Sequence, residues 1–172
     1  MPPSVFYYQN SIKYMKPHYL EFETKLYRPL AEVFDFFSNA ENLNKVTPPE
    51  VSFSMLTPMP LKMQVGALID YRIKLSGIPF FWRTQISVWQ PPHRFVDEQA
   101  KGPYVFWRHE HIFEDKGDYV LMTDRLHYLS PGWFLEPLID QFFIRPRIEK
   151  IWGYRDEQFK HLFGEKSSTV LT

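Results

Sequence analysis

The chain has 172 residues, 20 of them basic and 20 acidic, and no cysteine. A formal charge of zero excludes the basic footprint expected of a nucleic-acid binder, and the lack of cysteine excludes disulfides and thiolate metal sites. The 16 Phe, 10 Tyr and 5 Trp are many for one domain, and aromatic side chains are what lets thin walls line a large apolar volume.

Residues 1–17 read as an irregular lead-in without a continuous apolar block, so neither a signal peptide nor a membrane span is expected, and a cytoplasmic protein is the default expectation. Phe6-Tyr7-Tyr8 offers a tip for transient membrane contact or, as the plainer alternative, for packing on the body of the domain. From Tyr19 to Tyr27 the pattern alternates: Leu20, Phe22, Thr24 and Leu26 face one way and Glu21, Glu23 and Lys25 the other, as in a half-buried strand. Pro29 then opens a helix, with Leu30, Val33, Phe36 and Phe37 on one face. A second short helix is expected over Ala40 to Lys45, ending before Pro48-Pro49.

Strands resume at Val51 to Leu56. Gly66–Leu75 and Ile78–Trp89 form a hairpin across Ser76-Gly77, which pairs Ile69, Tyr71 and Ile73 with Thr84, Trp82 and Phe80, and sets Asp70 opposite Arg83 on the outer face. Arg94–Gln99 follows Pro91-Pro92 as a short strand, ambiguous by one residue, so either Asp97 or Glu98 faces inward.

The chain is organised around Gly102 to Tyr128. Two runs rich in β-branched and aromatic residues flank Asp115-Lys116-Gly117-Asp118 and read as a hairpin. With Lys116-Gly117 as a two-residue turn, Phe113 meets Val120, His111 meets Met122, His109 meets Asp124, Trp107 meets Leu126 and Val105 meets Tyr128. All ten share one face, while Arg108, Glu110, Thr123 and Arg125 point to water. The inward face therefore carries two histidines and an aspartate among apolar groups, and buried polar groups cost a few kcal/mol (~2–7) unless paired. This describes a lined pocket with a polar cluster in one wall.

After Ser130-Pro131-Gly132 a long helix is expected from Trp133 to Phe163, with Leu138, Phe142, Arg145, Ile148, Trp152, Phe159 and Leu162 along one side. Pro146 inside it should kink it or mark its true start. Arg145, Arg147, Lys150 and Arg155, interspersed with Glu149 and Asp156, read as a solvated face. A domain over 18–164 and a disordered tail over 165–172 complete the reading. The order of elements is α+β: a strand, two short helices, six strands and a terminal helix, with a curved antiparallel sheet gripping that helix.

The segments Ala40-Glu41-Asn42-Leu43, Thr47-Pro48-Pro49, Ile69-Asp70-Tyr71-Arg72, Gly77-Ile78-Pro79, Phe95-Val96-Asp97-Glu98-Gln99, Gly102-Pro103-Tyr104 and Tyr154-Arg155, with Trp82, Trp107, His109 and His111, resemble the START-like (SRPBCC) superfamily, in particular its polyketide cyclase/dehydrase and coenzyme Q-binding branches. The resemblance spans about residues 18–163. It implies a helix-grip fold of about seven strands and a cavity under the long helix that takes lipids, quinones, isoprenoids or polyketides.

His109, His111 and Asp124 are then the candidates for the polar end of a ligand, with Trp107, Trp82, Tyr71, Met122, Tyr128 and Phe142 lining the rest. Three other roles fit the same cluster. His109 bonded to Asp124 could simply buttress the sheet. An Asp124-oriented imidazole, with Tyr128 or His111 polarising a carbonyl, would serve a cyclase or dehydratase. Two imidazoles and a carboxylate could ligate a metal, but the helical histidine spacing of the superfamily's oxygenases is missing, so no metal and no cofactor is expected. There is no Gly-x-Ser-x-Gly and no phosphate-cradling loop. The expected function is non-catalytic binding of a small hydrophobic molecule, the alternatives being the enzyme just described and a protein-interaction module with a filled core.

Overall fold

The computed structural model describes residues 16–51, 53–75 and 77–164. The lead-in, with its Phe6-Tyr7-Tyr8 tip, and the tail expected over 165–172 lie outside these residues, apart from Lys16 and Pro17. Strand β1 (His18–Leu26) is followed by α1 (Leu30–Ser38) and a 3₁₀ helix (Ala40–Val46). Then come β2 (Phe53–Met55), β3 (Leu68–Leu75), β4 (Ile78–Gln90), β5 (Arg94–Lys101), β6 (Phe106–Asp115) and β7 (Val120–Leu129). The seven strands form one antiparallel sheet in the order β1-β7-β6-β5-β4-β3-β2, so every neighbour except β1–β7 is consecutive in sequence.

Local pattern accounts for most of this. β1 alternates half-buried and exposed residues along its whole length, and the β3–β4 register pairs Ile69 with Thr84, Tyr71 with Trp82 and Ile73 with Phe80, as the hairpin predicts. Arg83 donates to both carboxylate oxygens of Asp70 at 2.7 Å, a half-exposed pair of small energetic weight. Register shifts at Arg83/Thr84 and Ile86/Val88 bend β4 against β5, and such bulges raise the local twist and curve the sheet.

The β6–β7 hairpin departs from the expected register by two residues. Lys116 N–H donates to the Tyr119 carbonyl and Gly117 N–H to Asp115 Oδ1, which makes a four-residue turn and pairs Asp115 with Val120. His111 therefore lies opposite Asp124, His109 opposite Leu126, and Trp107 opposite Tyr128. A slip of two keeps every side chain on its face, whereas a slip of one would have reversed them all. On the outer face Glu110 and Thr123 are buried rather than solvated, Glu110 being gripped by Arg94 and Arg108.

Residues Trp133–Phe163 form a helical rod of 31 residues: a 3₁₀ turn (Trp133–Leu135), α2 (Glu136–Ile139), a π turn (Asp140–Ile144) and α3 (Arg145–Phe163). Proline explains the π turn. Pro146 has no N–H to give the Phe142 carbonyl, and the ladder widens just before it, Arg145 N–H reaching back to Asp140 O. The extra residue rotates the face, so Glu136, Asp140, Ile148, Trp152, Phe159 and Phe163 are buried. Ile148, Trp152 and Phe159 lie on the expected side, and the rest of that side is corrected: Phe142 is 63% exposed, Leu138 54% and Leu162 39%. Among the described residues no helix is long and apolar enough to cross a membrane.

α3 lies on the concave face of the sheet. Trp152 stacks on Phe22 with ring centroids 4.8 Å apart. At one end α1 and α3 close an aromatic plug, with Phe37 against Phe159 at 5.1 Å and Phe34 edge-on to Phe113 at 5.7 Å. Each such ring contributes about 1.5–3 kcal/mol of burial, which seals this end and leaves the other half of the concavity for a cavity.

Candidate functional site

A cavity of ≈ 180 Å³ lies under α3, walled by the 3₁₀ helix and the inner faces of β2 to β7. Strand alternation brings Tyr71, Trp82, Trp107, His109, His111 and Met122 to its lining, six of the nine residues expected at a binding site. The other three stand elsewhere. Phe142 is turned to solvent by the π turn. Tyr128 is fully buried behind the lining and its hydroxyl donates to Asp140 Oδ1 at 2.7 Å. Burial and that carboxylate hold the phenol above its ordinary pKa, so it serves to tie β7 to the helical rod. Asp124 sits behind the two imidazoles rather than on the cavity surface.

The polar wall is built from three adjacent strands. On β5 the ambiguity resolves to Asp97, whose Oδ2 lies 3.0 Å from His111 Nε2 and 3.7 Å from His109 Nδ1. On β7, Asp124 Oδ1 lies 3.0 Å from His109 Nε2 and 2.8 Å from His111 Nδ1, the latter contact out of line for a good hydrogen bond. Trp152 Nε1 donates to Asp124 Oδ2 at 3.3 Å. The expected His109–Asp124 bond is therefore present, but across a diagonal of the sheet, and each imidazole is held between two carboxylates.

The electrostatics follow from this. Burial alone would lower the pKa of His111, yet Asp124 and Asp97 on its two sides push it up to about 9. Burial lowers His109, helped by the charge on His111. Burial opposes ionisation of Asp124 and Asp97, and the neighbouring imidazoles outweigh it, holding both carboxyls below their usual range.

Three further residues line the cavity: Thr84 on the inner face of β4, and Arg147 and Arg155, both expected on a solvated helix face. Arg155 was assigned to a solvated helix face, but α3 directs it into the cavity wall, its guanidinium 4.8 Å from the Trp152 ring centroid. Its Nε is buried with no hydrogen-bond partner among the described residues. Burial lowers its pKa and the charges of Asp124 and Asp97 partly restore it. Thr84, also in the lining, accepts from Trp82 Nε1 at 3.1 Å and lies 2.9 Å from the Tyr71 hydroxyl. The Tyr154-Arg155 pair was the one signal pointing to α3. The i, i+3 step from Trp152 to Arg155 could have placed the guanidinium on the buried face.

No protein-family model matches the chain, and no curated protein matches it. Solved structures do. Protein Ms6760 from Mycobacterium smegmatis aligns with a TM-score of 0.62 and 14% identity, over 84% of this chain and 89% of that one. Protein CV1439 from Chromobacterium violaceum gives 0.66 and 10%, over 86% and 97%. Major latex-like protein 151 from Panax ginseng gives 0.62 and 10%, over 87% and 99%. The fold is the helix grip. At such identities the likeness extends to the backbone and its concavity, and the side chains of the site are this chain's own.

Proposed function

We propose that the chain is a START-like binding protein for a small amphipathic molecule: a compact ring system or short acyl chain ending in a carbonyl, carboxylate or phenolic oxygen. The observation that carries this reading is Arg155, a guanidinium whose buried Nε has no hydrogen-bond partner among the described residues, in the wall of a mostly apolar cavity. A buried donor without an acceptor costs about 1–3 kcal/mol, and a ligand oxygen would recover it. The volume narrows the ligand, since a dry cavity of about 150 Å³ holds benzene, and ≈ 180 Å³ admits little more unless α3 shifts. Quinone head groups, small polyketide rings and short acyl groups all meet this description, and the resemblance to the START-like superfamily favours the same classes.

The cyclase or dehydratase alternative loses one of its expected groups, because the Tyr128 hydroxyl donates to Asp140 outside the cavity lining and cannot polarise a carbonyl there. The cavity itself speaks against a filled-core interaction module.

The test compares 2-naphthoate with naphthalene by quenching of tryptophan fluorescence, alongside native mass spectrometry of the gently purified protein. Naphthoate should bind more tightly than naphthalene, and Arg155→Met should remove the difference while both still bind. Absence of binding by either probe, together with no co-purified mass, would overturn the proposal.

A further inference from the structure

The polar wall holds a second possibility that is independent of any organic ligand. Three donor atoms converge from two strands: Asp97 Oδ2 on β5, and His109 Nδ1 and His111 Nε2 on β6. All three lie within 4.8 Å of one another, with the carboxylate oxygen 3.7 Å from His109 Nδ1 and 3.0 Å from His111 Nε2. Donors about 2.1 Å from one ion stand roughly 3.0 Å apart at right angles and about 3.4 Å apart in a tetrahedron, so both Asp97 contacts are already close to coordination spacing, with the two histidine nitrogens within 4.8 Å of one another. The three residues line the cavity, which leaves the remaining coordination positions facing its interior.

Behind them, Asp124 Oδ1 approaches the opposite nitrogen of both rings, at 3.0 Å from His109 Nε2 and 2.8 Å from His111 Nδ1. Trp152 anchors the other oxygen of Asp124. A carboxylate on the far nitrogen of each imidazole is the support that metal-bound histidines use to fix tautomer and ring orientation. Here one aspartate supports two. The charge also balances, because Asp97 and Asp124 together offset one dication, leaving the Arg155 guanidinium for an anionic or carbonyl group beside it.

We infer that Asp97, His109 and His111 form a binding site for a first-row divalent transition ion, with Asp124 as the supporting residue behind both histidines. Two imidazoles and one carboxylate favour zinc, cobalt or iron(II) over magnesium or calcium, which prefer all-oxygen sites. Where the sequence alone pointed to Asp124 as the third ligand, the register puts Asp97 in that position. A second cluster, His18, Glu136 and Asp140, is different in kind. Asp140 already accepts from Tyr128 and Arg145, and Glu136 from the Ser130 N–H and His18. It therefore serves as the control.

The experiment strips the full chain with chelator and titrates it with Zn²⁺ calorimetrically, then counts the ion retained after desalting and records the visible spectrum with Co²⁺. The expected result is one ion per chain and an intense Co²⁺ spectrum of low coordination number. Asp97→Asn and His109→Gln should lose the retained ion, Asp124→Asn should weaken binding by about 10–100-fold, and His18→Gln should leave the stoichiometry unchanged. An unaltered wild-type protein that retains no ion overturns the inference without reference to any variant. So does a bound ion that follows His18 rather than Asp97. Neither result would alter naphthoate binding by the cavity, so the two proposals fail separately.

Discussion

At the scale of residues, the cluster on β5, β6 and β7 shows what alternation along a strand cannot convey. His109 and His111 were bound to share a face because they are two residues apart, but their partners depend on which residues of other strands come abreast. Asp124 now bridges two imidazoles from behind. Asp124→Asn removes a buried charge from between two histidines, and breaking a buried pair in this way costs about 3–5 kcal/mol; urea denaturation should show that loss. Tyr128→Phe tests the opposite case. It deletes the hydroxyl that Asp140 accepts from and should cost about 1–3 kcal/mol, yet leave naphthoate affinity unchanged because the phenol stands outside the cavity. A change in affinity would return Tyr128 to the lining.

At the scale of elements, one proline changes the reading of an entire helix. The hydrophobic period across Trp133–Phe163 is legible, and so is Pro146 as the true start of α3, but the π turn at Asp140–Ile144 advances the phase by one residue, which the period does not convey. The sequence therefore assigned Phe142 to the cavity, and the fold puts Trp133, Phe134, Phe142 and Phe143 on the surface. Two substitutions separate the faces. Phe142→Ser should leave both stability and ligand affinity within error of the parent. Trp152→Ala, which removes the ring stacked on Phe22 and the donor to Asp124, should cost about 3–5 kcal/mol by thermal or denaturant unfolding. Arg155 is inward because it stands three residues beyond Trp152 on the same helix face, and a charge count along the helix could not reveal this.

At the scale of the whole molecule, the aromatic plug of α1, α3 and β6 closes one end of the concavity, and the cavity occupies the remainder against the bulged β4–β5 pair. Its lining is set by all these elements together. Ile73→Phe adds a ring on the β3 wall and should leave the melting temperature unchanged or slightly raised, because it fills a void rather than crowding a packed core. Naphthoate affinity should fall at least about tenfold, or ~1.4 kcal/mol. An unaltered affinity would place the ligand on another surface.

The sequence by itself determined the order of the elements, the inward face of the strands other than β5, the Asp70–Arg83 pairing and the curved sheet closed by a terminal helix. These follow from short-range periods and turn chemistry, which each segment carries within itself. Tertiary structure alone decided the two-residue register of β6 on β7, the choice of Asp97 over Glu98 and the phase of the helix across Pro146. Each of these depends on how one element lies against another. A shift of two residues, or of one residue in a helical turn, leaves the local pattern intact while changing which polar atoms meet.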